Sequence, residues 1–234
     1  MSLVAAARQE LAAVHGAREA GLPRCREVVR AASSAIRAVH RLDDDQAAAF
    51  IADSEAALRR AQEALAPYPA VAYAGFLHDA EKEYAEAVLT RALVGGTPLP
   101  GPEVLGVGVP AWLNGLAEAA SELRRHLLDR LRQGRTGTAE GLLERMEETY
   151  EALVGVDFPD AVTGGLRRSA DALRAVVERT RSDVTTTVMQ LRLQSALDRC
   201  SAAIGAHPAD GPSDDCAHPG VPTAGGIEAG TVDP

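Results

Sequence analysis

Two short acidic stretches carry the residues best suited to chemistry, EKEYAEA at 81–87 and LAEAASELRR at 116–125. They supply Glu83 and Glu86 at i,i+3 spacing, and Glu118 and Glu122 at i,i+4. On a helix, carboxylates at those spacings project from one side. Two such pairs brought together would form a hard, oxygen-lined pocket suited to Mg²⁺ or Mn²⁺. Gathered acids repel one another, so a fold that holds them together ordinarily has a cation to offset them. The chemistry depends on whether the two stretches meet.

The spacing of apolar residues predicts a helix over about 70–94 that buries Tyr73, Phe76, Leu77, Ala80, Tyr84, Ala87 and Val88, with Asp79, Glu83 and Glu86 along its flank. Glu83 projects close to Phe76, which puts it at the edge of the core, where a partly desolvated acid beside another acid is a good site candidate. A second helix over about 110–133 has the stripe Leu113, Leu116, Ala120, Leu123, Leu127 and Leu131. Glu118 and Glu122 fall nearly opposite that stripe, which taken alone favours a solvated face. They point inward only if this helix is covered on both sides, or if their side opens on a cleft shared with the 70–94 helix. Gly115 and Ala119, near the acidic side, would permit a close helix approach. His78 and His126 lie near the acidic stretches and read as hydrogen-bonded surface or core residues.

A third chemical feature is basic. Over residues 24–42, at about 100° per residue, Arg26, Arg30, Arg37 and Arg41 share one side with Ser33, Ser34 and His40. Val28, Ala32, Ala35, Ile36, Val39 and Leu42 take the other. The stripe reads equally as a solvated face and as a set of phosphate contacts. Its single sign, with Glu27 the only acid in the run, and the bidentate geometry of Arg raise the second reading to equal weight with the first.

The elements that must position these groups are helical. Of 234 residues, 46% are hydrophobic but only 3% aromatic, so the core is expected from Leu, Val and Ala in close-packed helices. A weak helical stretch over 2–20 meets Gly21-Leu22-Pro23, where Pro23 either breaks a long helix or opens a new one. Asp43-Asp44-Asp45 caps a helix reaching about residue 65. The Gly- and Pro-rich segment 95–110 reads as the longest irregular connection, and two more helices follow over about 137–153 and 160–200. The fold class expected is all-α, a single-domain antiparallel bundle of about six to seven helices over 1–204. A disordered acidic Pro/Gly-rich tail is expected over 205–234. Net charge is −9, and removing the five acids of that tail leaves −4 on the body, which excludes neither nucleic acid nor metal.

The longest uncharged run, 104–117, is broken by Gly106, Gly108, Pro110 and Gly115 and is too short to span a bilayer, so no membrane partner is expected. The N-terminal segment has charges where a secretory signal needs an apolar core, which leads to a cytoplasmic expectation. Cys25, Cys200 and Cys216 have no metal-ligand spacing, and no phosphate-binding Gly loop, GxSxG or HExxH motif is present.

Taken in order, REVVRAASSAIRAVHRL (26–42), EYAEA (83–87), WLNGLAEAASELRR (112–125) and LRRSADALRAVVE (166–178) resemble the translin superfamily, translin and its partner translin-associated factor X, over roughly residues 24–195. The resemblance implies an all-helical, translin-like fold, assembly into hollow homo-oligomers, typically octamers, and binding of single-stranded RNA or DNA. It offers two branches. One is similar to a non-catalytic single-stranded DNA/RNA-binding oligomer, in which Arg26, Arg30, Arg37 and Arg41 would carry the function. The other looks like a Mg²⁺- or Mn²⁺-dependent endoribonuclease. There Glu83 and Glu86 match an E-x-x-E pair and Glu118 and Glu122 an acid-x-x-x-Glu pair, which makes all four the implied catalytic and metal residues. This chain fits the second branch better, since translin-like chains lack acids at the positions of Glu86 and Glu118. It departs in having Glu118 where that branch usually has Asp, and its ASEL run at 120–123 looks translin-like.

Overall fold

The computed structural model describes residues 2–72 and 74–205, and no strand occurs among them. In chain order the helices are α1 (Ser2–His40), α2 (Asp44–Leu65), α3 (Pro69–Ala72), α4 (Phe76–Gly95), α5 (Pro102–Leu105), α6 (Val109–Arg132), α7 (Thr136–Val154), α8 (Asp160–Thr163) and α9 (Leu166–Gly205). Six of these are long and three are single turns, in line with the expected bundle. The chain divides into a compact unit through Leu191 and a second unit from Arg192. Tyr73, Cys216 and nearly all of the expected tail lie outside the described residues. Among those residues no helix is long and apolar enough to cross a membrane.

Pro23 neither breaks nor starts a helix. It is exposed inside α1, while the buried stripe Ala17, Gly21, Cys25, Val28, Ala32, Ala35 and Val39 runs past it at helical spacing. Packing of that stripe holds the helix continuous across a residue that would otherwise end it. Leu42, expected on the buried side, sits beyond the helix end at φ 60° and is exposed. Asp43 caps α2 by accepting a 3.1 Å bond from the Gln46 amide. The helix expected over 70–94 is two elements, because Gly75 at φ 101° turns the chain between α3 and α4. The segment 95–110 contains the single turn α5 and is pinned. Gln62 donates to Gly106 O (2.9 Å), the Gly108 amide donates to Glu81 (3.1 Å), and the Trp112 indole donates to Pro100 O (2.9 Å).

Two apolar layers share α4. On one side Ala80 and Tyr84 pack with Cys25 and Val28 of α1 and with Ala57, Leu58 and Ala61 of α2. On the other, Ala85, Leu89 and Leu93 join the main core of α6, α7 and α9, including Leu123, Leu127, Met146 and Leu173. Helix α6 therefore has α7 and α9 against its leucine stripe and α4 against its opposite face. This second neighbour partly covers Glu118 and Glu122, whose side chains are 36% and 35% exposed, where the leucine stripe alone predicts a fully solvated face. Cys25 lies in the α1–α2–α4 layer, where burial and then the Glu81 charge push its thiol up to about 11, so it is an unreactive core residue.

Candidate metal centre

The site is made by a close helix crossing. A Cβ added at Gly115 would lie 2.8 Å from the Lys82 carbonyl oxygen and 3.0 Å from both the Glu86 amide nitrogen and the Ala85 Cβ. Only a residue without a side chain allows α6 to touch the backbone of α4 there. Ala85 and Ala119, both fully buried, extend the contact. Ala32 and Ala35 packed on Ala87 bring α1 in from the side. Residues one turn from Gly115 on α6, and those flanking the contact on α4, then face each other.

Four acids result from this, in two settings. One carboxylate oxygen from each of Glu83, Glu86 and Glu118 lies within 4.8 Å of the others. Lys82 bridges two of the three. Its Nζ donates to both oxygens of Glu118 at 2.8 and 2.7 Å and lies 3.3 Å from Glu83 Oε1. Burial alone would lower the Lys82 ammonium, but the hydrogen bonds and charge of Glu118, with those of Glu83, outweigh it and hold the group above its ordinary value. Glu86 is the deepest of the acids, only 8% exposed, and takes no part in that bridge. Burial first, then the charges of Glu118, Glu83 and Glu122, push its carboxyl up to about 8. The expectation that Glu83 marks the core edge is met, with Glu86 further inside.

Glu122 stands apart from the three-acid cluster, engaged with α1. His40 Nε2 is 2.7 Å from Glu122 Oε2, and His40 Nδ1 is 3.1 Å from His126 Nε2. A carboxylate in this position accepts, so the His40 Nε2 carries the proton. The remaining two ring nitrogens share one proton between them. Burial, and then the charge of His40, lowers His126 to about 4, which keeps it neutral near pH 7. The hydrogen bond from His40 holds the Glu122 carboxyl below the usual carboxylate range.

These contacts revise one sequence reading and add detail to two others. His40, assigned to the arginine stripe, has a side chain only 7% exposed and turned to the acids. His126 is a core histidine, as read, but it buttresses His40. Its i+4 relation to Glu122 is the available signal. His78 packs against Gly164, whose added Cβ would lie 2.9 Å from the imidazole, and serves the turn before α9. Sequence reasoning misses Lys82, although it lies beside Glu83 in the chain.

Comparison with known proteins supplies the family. The fold superposes on AfC3PO, a protein of translin/TRAX type solved both alone and in complex with duplex RNA, with a TM-score of 0.73 and 32% identity over 81% of this chain and 98% of that one. The chain belongs to the translin superfamily. NeC3PO, in its apo crystal structure, shares the fold at a TM-score of 0.71 and 19% identity, over 80% of this chain and 98% of that one. An uncharacterized protein of Methanocaldococcus jannaschii is 28% identical over 184 residues, 78% of this chain and 81% of its own. No protein-family model matches the chain.

In this translin-superfamily chain the arginine stripe is solvent-facing. Arg26, Arg30, Arg37 and Arg41 are all exposed on α1 or at its end. Arg37 donates to Ser34 Oγ (2.9 Å) and Arg41 to Gln46 Oε1 (2.5 Å). Among the described residues none of the four is paired with a carboxylate. The same helix that offers this stripe outward sends His40 inward to Glu122.

Proposed function

We propose that this translin-superfamily protein is a Mg²⁺- or Mn²⁺-dependent endoribonuclease that binds RNA and cleaves its phosphodiester backbone. The observation that carries the reading is the convergence of Glu83, Glu86 and Glu118 from two helices within 4.8 Å. The donor set fits a hard divalent ion. All of its donor atoms are carboxylate oxygens, a cationic ammonium already lies among them, and burial, followed by the charges of the neighbouring acids, biases Glu86 toward holding a proton. Glu83, Glu86 and Glu118 would hold the ion, with Glu122 at its margin. When bound, a divalent ion supplies Lewis-acid polarisation of the phosphodiester and a water of lowered pKa.

The chain's own groups account for the rest. Glu122, kept ionised by His40, has Oε2 on the His40 Nε2 proton and Oε1 free to accept a proton from a water molecule. His126 fixes the His40 ring from behind. The exposed arginines of α1 hold the strand by its phosphates, and the similarity to AfC3PO, solved in complex with duplex RNA, supports RNA as the ligand.

Cleavage of end-labelled single-stranded RNA tests this reading. Wild-type protein with Mn²⁺ cuts the strand and EDTA stops it. Glu83→Ala and Glu122→Ala lose cleavage with oligomer size unchanged. Intact RNA across a range of sequences sinks the proposal. The second reading, strand binding without cleavage by a homo-oligomer, draws on Lys82, whose ammonium already neutralises part of the cluster. Both readings require the arginines. For Arg26→Ala/Arg30→Ala, the slope of log affinity against log salt for a single strand falls by about 0.7 per lost phosphate contact, roughly 1.4 in all. An unchanged slope removes α1 from the interface.

A further inference from the structure

We propose that Lys82 is a tethered counter-cation, whose ammonium group competes with a divalent ion for Glu83 and Glu118 and so sets the metal concentration at which the site loads. The inference rests on the divalent-metal reading above and adds to it a built-in competitor.

The first observation is compositional. Of the 24 Lys and Arg residues, Lys82 is the only lysine. A chain that uses Arg at every other basic position has a lysine at the centre of its acid cluster. The two side chains differ in a way that matters there. Arginine presents a rigid planar fork that grips a carboxylate through two parallel bonds, whereas an ammonium is a compact, strongly hydrated charge on a flexible stem. The first would lock the acids, while the second can be exchanged.

The second observation is geometric. The Lys82 ammonium contacts both Glu118 oxygens, at 2.8 and 2.7 Å, and Glu83 at 3.3 Å, in competition with any cation that needs those oxygens. Its stem starts at the tightest point of the helix crossing, where the Lys82 carbonyl faces Gly115, so the group is held at the site whether or not it is bonded. Its side chain is 20% exposed, which leaves a route toward solvent on displacement. The third observation is the charge balance. One ammonium faces three clustered acids and reaches only two of them, leaving the buried Glu86 without it. A divalent ion at the same place offsets more charge and engages the third acid, so exchange is favourable once the ion is abundant enough.

Two measurements on the intact protein test this. In calorimetric titration of metal-stripped protein with Mn²⁺, Lys82→Gln is expected to bind about tenfold more tightly than wild type, and Lys82→Arg more weakly. In the wild-type protein, a brief pulse of an amine-acetylating reagent followed by peptide mass spectrometry reads Lys82 directly, since it is the only side-chain amine, with the N-terminal amine as internal reference. Saturating Mn²⁺ is expected to raise Lys82 acetylation several-fold relative to that reference. Wild-type affinity in Lys82→Gln together with unchanged Lys82 labelling overturns the competition while leaving metal binding in place. Absence of Mn²⁺ binding in both wild type and Lys82→Gln overturns the metal reading and this inference with it.

Discussion

Glu86→Gln is expected to abolish metal-dependent cleavage and, in the same molecule, to raise stability above neutral pH. The activity loss follows from removing a charged donor from a three-carboxylate cluster. It should exceed the roughly 10- to 100-fold that loss of an outer-shell partner costs. The stability gain follows from linkage. In the metal-free protein the Glu86 carboxyl is raised from 4.5 to about 8. Between those values the folded state holds a proton that the unfolded chain has released, so stability falls as pH rises through that window and the full penalty stands above about 8. A glutamine amide does not titrate, so the variant should follow wild type at about pH 4.5 and exceed it progressively toward about pH 9. A gain of about 1–2 kcal/mol would raise Tm by roughly 4 °C in a chain of this size. Thermal melts in EDTA across that range measure it. Parallel curves for the two proteins would show that Glu86 is ionised at no cost, contrary to its burial. The same raised carboxyl predicts that Mn²⁺ binding near pH 7 releases about one proton.

The second large effect comes from a residue with no side chain. Gly115→Val should disrupt both fold and site, because its Cβ would meet backbone atoms of Lys82 and Glu86 at 2.8 and 3.0 Å. Backbone in the middle of a helix cannot move aside as a side-chain tip can, so α4 and α6 must separate. Overpacking of this kind costs about 1–3 kcal/mol. The upper end is expected here, since the β-branched side chain adds further atoms at the point of closest approach. Separation also parts Glu118 from Glu83 and Glu86, so Mn²⁺ affinity should fall even in the fraction that remains folded. Gly21→Ala is the control. Its nearest atom is also 2.8 Å away but is the Cδ2 end of the Leu65 side chain rather than backbone, so the cost should be smaller, about 1 kcal/mol. Urea unfolding of the two variants compares them directly. Equal, small losses would mean that the crossing is not held by the absence of a side chain at 115.

The helices themselves are legible because their apolar stripes repeat at helical spacing, and the order of four segments is enough to indicate the family. Legibility fails where a side chain's setting depends on a second neighbour. A wheel of residues 110–133 sees only the leucine stripe and turns Glu118 and Glu122 to solvent. It contains nothing of α4, which covers the other face. The trace of that neighbour in the sequence is Gly115 and Ala119, small residues on the acidic side. His40 reads as one of a basic stripe for the same reason, since its partners Glu122 and His126 are 82 and 86 residues away. Pro23 misleads in another way. Local propensity favours a break there, but the buried stripe through Cys25 and Val28 holds the helix continuous.

The most direct test of the central claim is a crystal structure of the protein soaked in Mn²⁺, read by anomalous scattering. The expected result is a peak bounded by carboxylate oxygens of Glu83, Glu86 and Glu118, with Lys82 Nζ withdrawn from Glu118. No peak at this cluster under saturating Mn²⁺, with the Lys82–Glu118 bridge intact, would contradict the account.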